Sequence, residues 1–119
     1  MPAEIVDVNA GVVTTRISGT LTQAALSEMQ RTIAEVIRTQ GKVRILVLAE
    51  NFAGWERGGA WDDFSFQAQY DPSIEKMAIV GDQRWEDLAL IFTAKDLRRF
   101  PIEYFTPSEL DEARAWLNA

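Results

Sequence analysis

The chain has 119 residues, 47% of them apolar and 25% charged, with a formal charge of −6. That length and balance suit a single domain over 1–119 and argue against disorder. Histidine and cysteine are both absent, which excludes Ser–His and Cys–His nucleophile pairs, disulfides, and metal centres built on those ligands.

Residues 1–59 hold six acids and six bases, and residues 60–119 hold twelve acids against six bases, so the second half accounts for the whole −6. Such a surface repels phosphodiester backbones, and nucleic-acid binding is not expected. Lys95, Arg98 and Arg99 form one basic cluster within this acidity, a candidate contact for an acidic partner or a lipid headgroup. The start, Met1-Pro2-Ala3-Glu4, lacks the basic and long apolar regions of a secretory leader. The apolar runs Ile45–Ala49 and Leu88–Phe92 fall far short of the roughly 18 residues of a spanning helix. A cytoplasmic location is therefore expected.

Two strands open the chain, Ala3–Val8 and Val12–Ser18, joined at Asn9-Ala10-Gly11 as a hairpin. The spacing of Leu26, Met29, Ile33 and Ile37 predicts a helix over Gln23–Thr39. Thr20 or Thr22 is its N-cap, Thr20 having the capping-box spacing to Gln23, and Gly41 stops it. Val43–Ala49 is a nearly continuous apolar run, as in a strand buried on both faces. Glu50–Gly59 reads as a loop with three glycines. A helix over Ala60–Gln69 follows, ended by Asp71-Pro72. Ile74–Val80 is a second buried strand, closed by Gly81. The helix over Arg84–Ala94 carries Trp85, Leu88, Ala89 and Phe92. Ile102–Phe105 is a short strand, and Thr106-Pro107-Ser108-Glu109 combines an N-cap, proline at N1 and glutamate at N3. The helix it starts buries Leu110, Ala113 and Leu117, with Trp116 beside them. The order ββαβαβαβα gives an α/β fold: a mixed, mostly parallel sheet of about five strands with about four helices.

Six of the twelve aromatic residues, Phe52, Trp55, Trp61, Phe64, Phe66 and Tyr70, fall within 19 positions. Aromatic stripes at helical spacing most often fill a core. Beside a glycine-rich loop they also suit a movable wall over an apolar pocket or an interface. Gly54-Trp55-Glu56-Arg57-Gly58-Gly59 lacks the lysine and spacing of a phosphate loop. Asp62, Asp63, Glu56 and Asp82 are candidate oxygen ligands for magnesium, but adjacent helical residues diverge by about 100°. Helix-start roles explain Asp62, Asp63 and Asp82 better. No nucleophile–base pair accompanies any of these carboxylates, so no catalytic residue, metal or cofactor is assigned and the chain is read as a non-enzyme.

Gly19-Thr20-Leu21-Thr22, Phe52-x-Gly54-Trp55, Ala60-Trp61-Asp62-Asp63, Met77-Ala78-Ile79-Val80-Gly81-Asp82 with Trp85-Glu86, and Glu112-Ala113-Arg114-Ala115-Trp116-Leu117 resemble the bacterial SpoIIAA-like proteins. This STAS-related family has a fold also compared with the lipid-binding SEC14 type. The resemblance covers almost the whole chain and implies a compact STAS-like domain that binds apolar ligands or lipids, with contact at a membrane surface. STAS antagonists of anti-sigma factors are switched by a phosphoserine at the start of the helix after the central strand. Here that stretch is Ala60-Trp61-Asp62-Asp63, and Ser65 lies inside the helix, a departure from the switch.

The leading expectation is thus a binding domain for an apolar small molecule or lipid, walled by Phe52, Trp55, Trp61, Phe64 and Trp85. Phe66 and the basic cluster would face a partner or a transiently contacted membrane surface. The alternative is a STAS-type protein-interaction module without the phosphoserine switch, with a second copy of the chain among its candidate partners.

Overall fold

The computed structural model describes residues 3–56, 69–93 and 100–119. Its strands are β1 (Ala3–Asn9), β2 (Val12–Leu21), β3 (Val43–Trp55), β4 (Ile74–Val80) and β5 (Ile102–Phe105). They form one sheet in the order β1-β2-β3-β4-β5. The first pair is antiparallel and the other three are parallel, which is the mixed architecture expected. Three helices are described: α1 (Gln23–Gln40), α2 (Glu86–Phe92) and α3 (Leu110–Leu117). Of the helix expected over Ala60–Gln69, only Gln69 is among the described residues, and it is helical.

The hairpin turns on Ala10 and Gly11, both at positive φ (53° and 80°), a pairing whose twist matches that of the strands it joins. Thr22, not Thr20, caps α1: its Oγ1 accepts from Ala25 N at 3.1 Å. Thr20 is committed to β2, opposite Gly54. Gly41 N–H donates to Ile37 O at 2.7 Å and closes the helix.

Helix α1 lays Ala25, Met29, Ile33 and Ile37 on the sheet face that carries Val13, Ile45, Val47 and Ile79. The expected burial of this strand on both faces holds: Val43, Ile45 and Val47 join the α1 face, while Leu46 turns to the opposite face with Ala78 and Val80. There α3 covers the sheet with Ala113 and Leu117, which are 0% and 1% exposed. Full burial of a leucine such as Leu117 stabilises by about 1.5–3 kcal/mol. Thr15, also fully buried, donates its hydroxyl to Leu46 O on the neighbouring strand.

Two cations hold the far end of α3. Arg44 and Lys76 are register partners on β3 and β4. Arg44 Nη1 donates to Leu117 O at 3.0 Å, and Lys76 Nζ donates to Trp116 O at 2.8 Å. Positive charge at a helix C-terminus offsets its unpaired carbonyls. At the other end both halves of the Thr106–Glu109 capping box form. Donation from the Thr106 N–H, and then from its hydroxyl, holds the Glu109 carboxyl below its ordinary range.

Candidate functional site

The expected loop at Glu50–Gly59 begins instead as strand, because β3 runs on to Trp55 beside a β2 that itself runs on to Leu21. Pairing continues through two irregularities: Ser18, Gly19 and Thr20 face Glu50, Phe52 and Gly54. Asn51 and Ala53 are therefore extra residues on β3, one bulge after the other. Regular alternation would put Phe52 and Trp55 on opposite faces. With the bulges, Ala49, Phe52 and Trp55 pair with Ile17, Gly19 and Leu21, so a spacing of three keeps all of them on the α1 face. The backbone accommodates this with Asn51 at φ 51° and Gly54 at φ 109°. The latter value disfavours any residue with a Cβ.

The aromatic rings this delivers meet Trp85 and Phe92. Phe52 is 5.0 Å from Trp55 and 5.1 Å from Trp85, both edge-on, while Trp55 is 5.1 Å from Phe92. Edge-to-face pairs of this kind add about 0.5–1.5 kcal/mol each beyond area burial. The indole Nε1 atoms of Trp55 and Trp85 are buried, and among the described residues neither has an acceptor.

Beneath it lies a cavity of about 120 Å³ whose described lining includes Leu21, Met29, Val47, Phe52, Trp55 and Phe92. Two lining hydroxyls are occupied elsewhere: Thr93 donates to Ala89 O at 3.0 Å, and Tyr104 to Asp82 O at 2.7 Å. Burial, then the Asp82 and Glu86 carboxylates, push the Tyr104 phenol up to about 12.

A second, more polar cleft of about 440 Å³ opens at the carboxyl ends of β3 and β4. Its described lining includes Glu50, Asn51, Asp82, Arg84, Trp85 and Pro107. Open α/β sheets place their ligand crevices at these strand ends. Arg84 rests with its guanidinium carbon 5.3 Å from the Trp85 ring centroid, and its Nε is 4.0 Å from Asp82.

The structure brings together Phe52, Trp55 and Trp85 of the expected apolar wall. Trp61, Phe64 and Phe66, and the basic cluster Lys95, Arg98 and Arg99, lie outside the described residues, as do Asp62 and Asp63. Two carboxylates considered as metal ligands have structural roles. Glu56 accepts from Gln23 N at 2.6 Å at the start of α1, and Asp82 accepts from Arg84 N at 2.9 Å. Among the described residues no group of acids is placed to hold a metal ion, and no helix is long and apolar enough to cross a membrane.

The Arg84–Ala94 helix differs in one respect. A 3₁₀ turn over Gln83–Trp85 precedes α2, and Leu88 faces outward, 50% exposed, while Leu90 joins the core. Ile91 is 74% exposed. Sequence reasoning also missed Phe92 and Tyr104 as site residues. Phe92 carried a signal, seven residues after Trp85 on the same helical face. Tyr104 carried none.

The family model that matches the chain, over residues 12–118, is described as SpoIIAA-like, and the chain belongs to that family. Among solved structures it is similar to an uncharacterised protein from Shewanella loihica PV-4 described as having a SpoIIAA-like fold. The TM-score is 0.73 at 18% identity, over 97% of this chain and 93% of the other. At that identity the likeness concerns the fold. Curated proteins yield no match.

Proposed function

We propose that the chain is a non-enzymatic regulatory module that acts by binding another protein along Gln83–Phe92. The observation that carries this reading is the outer face of α2, where Leu88 and Ile91 are 50% and 74% exposed. These are large aliphatic side chains in water, one helical turn apart, and their helix packs its inner face on the aromatic cluster. An exposed apolar ridge on a helix packed against the aromatic cluster fits a protein contact. Membership of the SpoIIAA-like family favours the same reading. This reading includes no phosphoserine switch, because the stretch that by resemblance corresponds to the switch serine of STAS antagonists is Ala60-Trp61-Asp62-Asp63.

Affinity capture with the full chain tests this. A protein partner should be retained by the parent chain and lost by L88E/I91E. An identical set of captured proteins from both would contradict the proposal, and a second copy of the chain as the captured species would make the module a homodimer.

The cavity supports a second, narrower reading. An engineered apolar cavity of about 150 Å³ holds one benzene, so a volume of about 120 Å³ suits a compact apolar molecule rather than a whole acyl chain. Native mass spectrometry of the purified protein distinguishes the two. A retained small apolar molecule favours the ligand reading, and a bare chain disfavours it.

A further inference from the structure

The cleft at the carboxyl ends of β3 and β4 carries a preference of its own, and we infer that it receives an arginine or lysine side chain from a basic segment of a protein partner. The inference rests on the interaction reading and deepens it. Two carboxylates, Glu50 and Asp82, line this cleft beside the Trp85 indole. Their side chains are 55% and 63% exposed, and each already meets a guanidinium of this chain, Glu50 that of Arg16 at 3.4 Å and Asp82 that of Arg84 at 4.0 Å, so an incoming cation exchanges with an exposed internal partner. The aromatic face and the carboxylate together make the pairing that recognises a guanidinium, which stacks on the ring and donates to the oxygens.

The chain's own Arg84 shows the ring half of this fit, without a side-chain hydrogen bond to Asp82. Its guanidinium carbon lies 5.3 Å from the Trp85 centroid, and its Nε is 4.0 Å from Asp82 Oδ2. The Arg84 side chain is 70% exposed, and such an open ion pair holds weakly. Arg84 is thus a displaceable internal occupant, and a partner cation takes its place. Charge complementarity points the same way, since the chain carries −6 overall. The cleft, at about 440 Å³, has room for one long cationic side chain. It also adjoins the start of α2, whose outer face carries Leu88 and Ile91, so one basic and apolar segment engages both.

The test is binding of a short blocked oligo-arginine peptide to the full chain, read by fluorescence anisotropy at low salt. D82N retains a side-chain oxygen to cap the turn, and unfolding midpoints confirm that each variant is folded. D82N should weaken binding by about threefold, and R84A should tighten it by a similar factor. Two charge-matched controls on other surfaces, D111N on α3 and R31A on α1, should each change it less. Equal effects of D82N and D111N, equal effects of R84A and R31A, or no binding by the parent chain would overturn the inference. If the peptide test fails while L88E/I91E still abolishes partner capture, the cleft assignment falls and the interaction reading stands. If the peptide test succeeds but capture ignores L88E/I91E, the ridge is the part that is wrong.

Discussion

Gly81 sits where Tyr104 crosses the end of β4, and a side chain there has no room. A Cβ built on Gly81 would lie 2.7 Å from Tyr104 Oη and 3.1 Å from Ala49 Cβ. G81A should therefore destabilise the fold by about 1–3 kcal/mol in urea unfolding, the range for overpacking. Y104F removes the closest of those atoms, so the double variant should cost less than the two single changes summed. Additive costs would show that the phenol oxygen is not the obstacle. From the sequence Gly81 reads only as a strand terminator, because the partner it accommodates is 23 positions away.

Tyr104 also makes a pH prediction. The folded chain holds its phenolic proton up to about 12, whereas an unfolded tyrosine releases it near about 10. The native state thus favours the protonated form. The stabilisation is complete below about pH 10 and is lost as pH rises toward 12. Tyrosinate absorbance should show a late step that Y104F abolishes, and Y104F should flatten the decline of unfolding midpoints over the same interval. A late step that survives Y104F would contradict the assignment.

At the level of elements, the bulged end of β3 decides which way the aromatic rings point. Deleting Asn51 takes out the extra residue of the first bulge, so Phe52 follows Glu50 directly and still pairs with Gly19 on the α1 face, with Trp55 after it opposite Leu21. The deletion variant should therefore keep the near-ultraviolet circular dichroism of the cluster. Loss of that signal would contradict the assignment of Asn51 as the inserted residue.

The ends of the elements were largely legible. The Thr106–Glu109 capping box, the Gly41 stop and the hairpin follow from local chemistry that needs no distant partner. The extension of β3 was not legible, since two bulges break the period-two pattern and glycines otherwise signal a loop. The phase of α2 was also hidden. A 3₁₀ turn winds at three residues per turn, and after it Leu90 faces the core while Leu88 turns to solvent.

For the whole molecule, the sheet divides its work between its two faces. One face, under α3, is closed by Leu46, Ala113 and Leu117 and fastened by Arg44 and Lys76. The other carries α1, α2 and the aromatic cluster, with a cavity below and an open cleft at its edge. The alternating strands and helices were readable in the sequence, and so was the concentration of aromatic residues. Their assembly with Trp85 and Phe92 depends on long-range register, which no local pattern encodes. In the proposed reading the contact surface lies on the helix that backs the cluster, and α3 serves stability. Hydrogen–deuterium exchange on the captured complex tests this claim most directly. Protection on binding should centre on Gln83–Phe92 and the cleft residues Glu50–Phe52, with α3 unchanged. Protection centred on α3 or on β1, with Gln83–Phe92 unaffected, would contradict it.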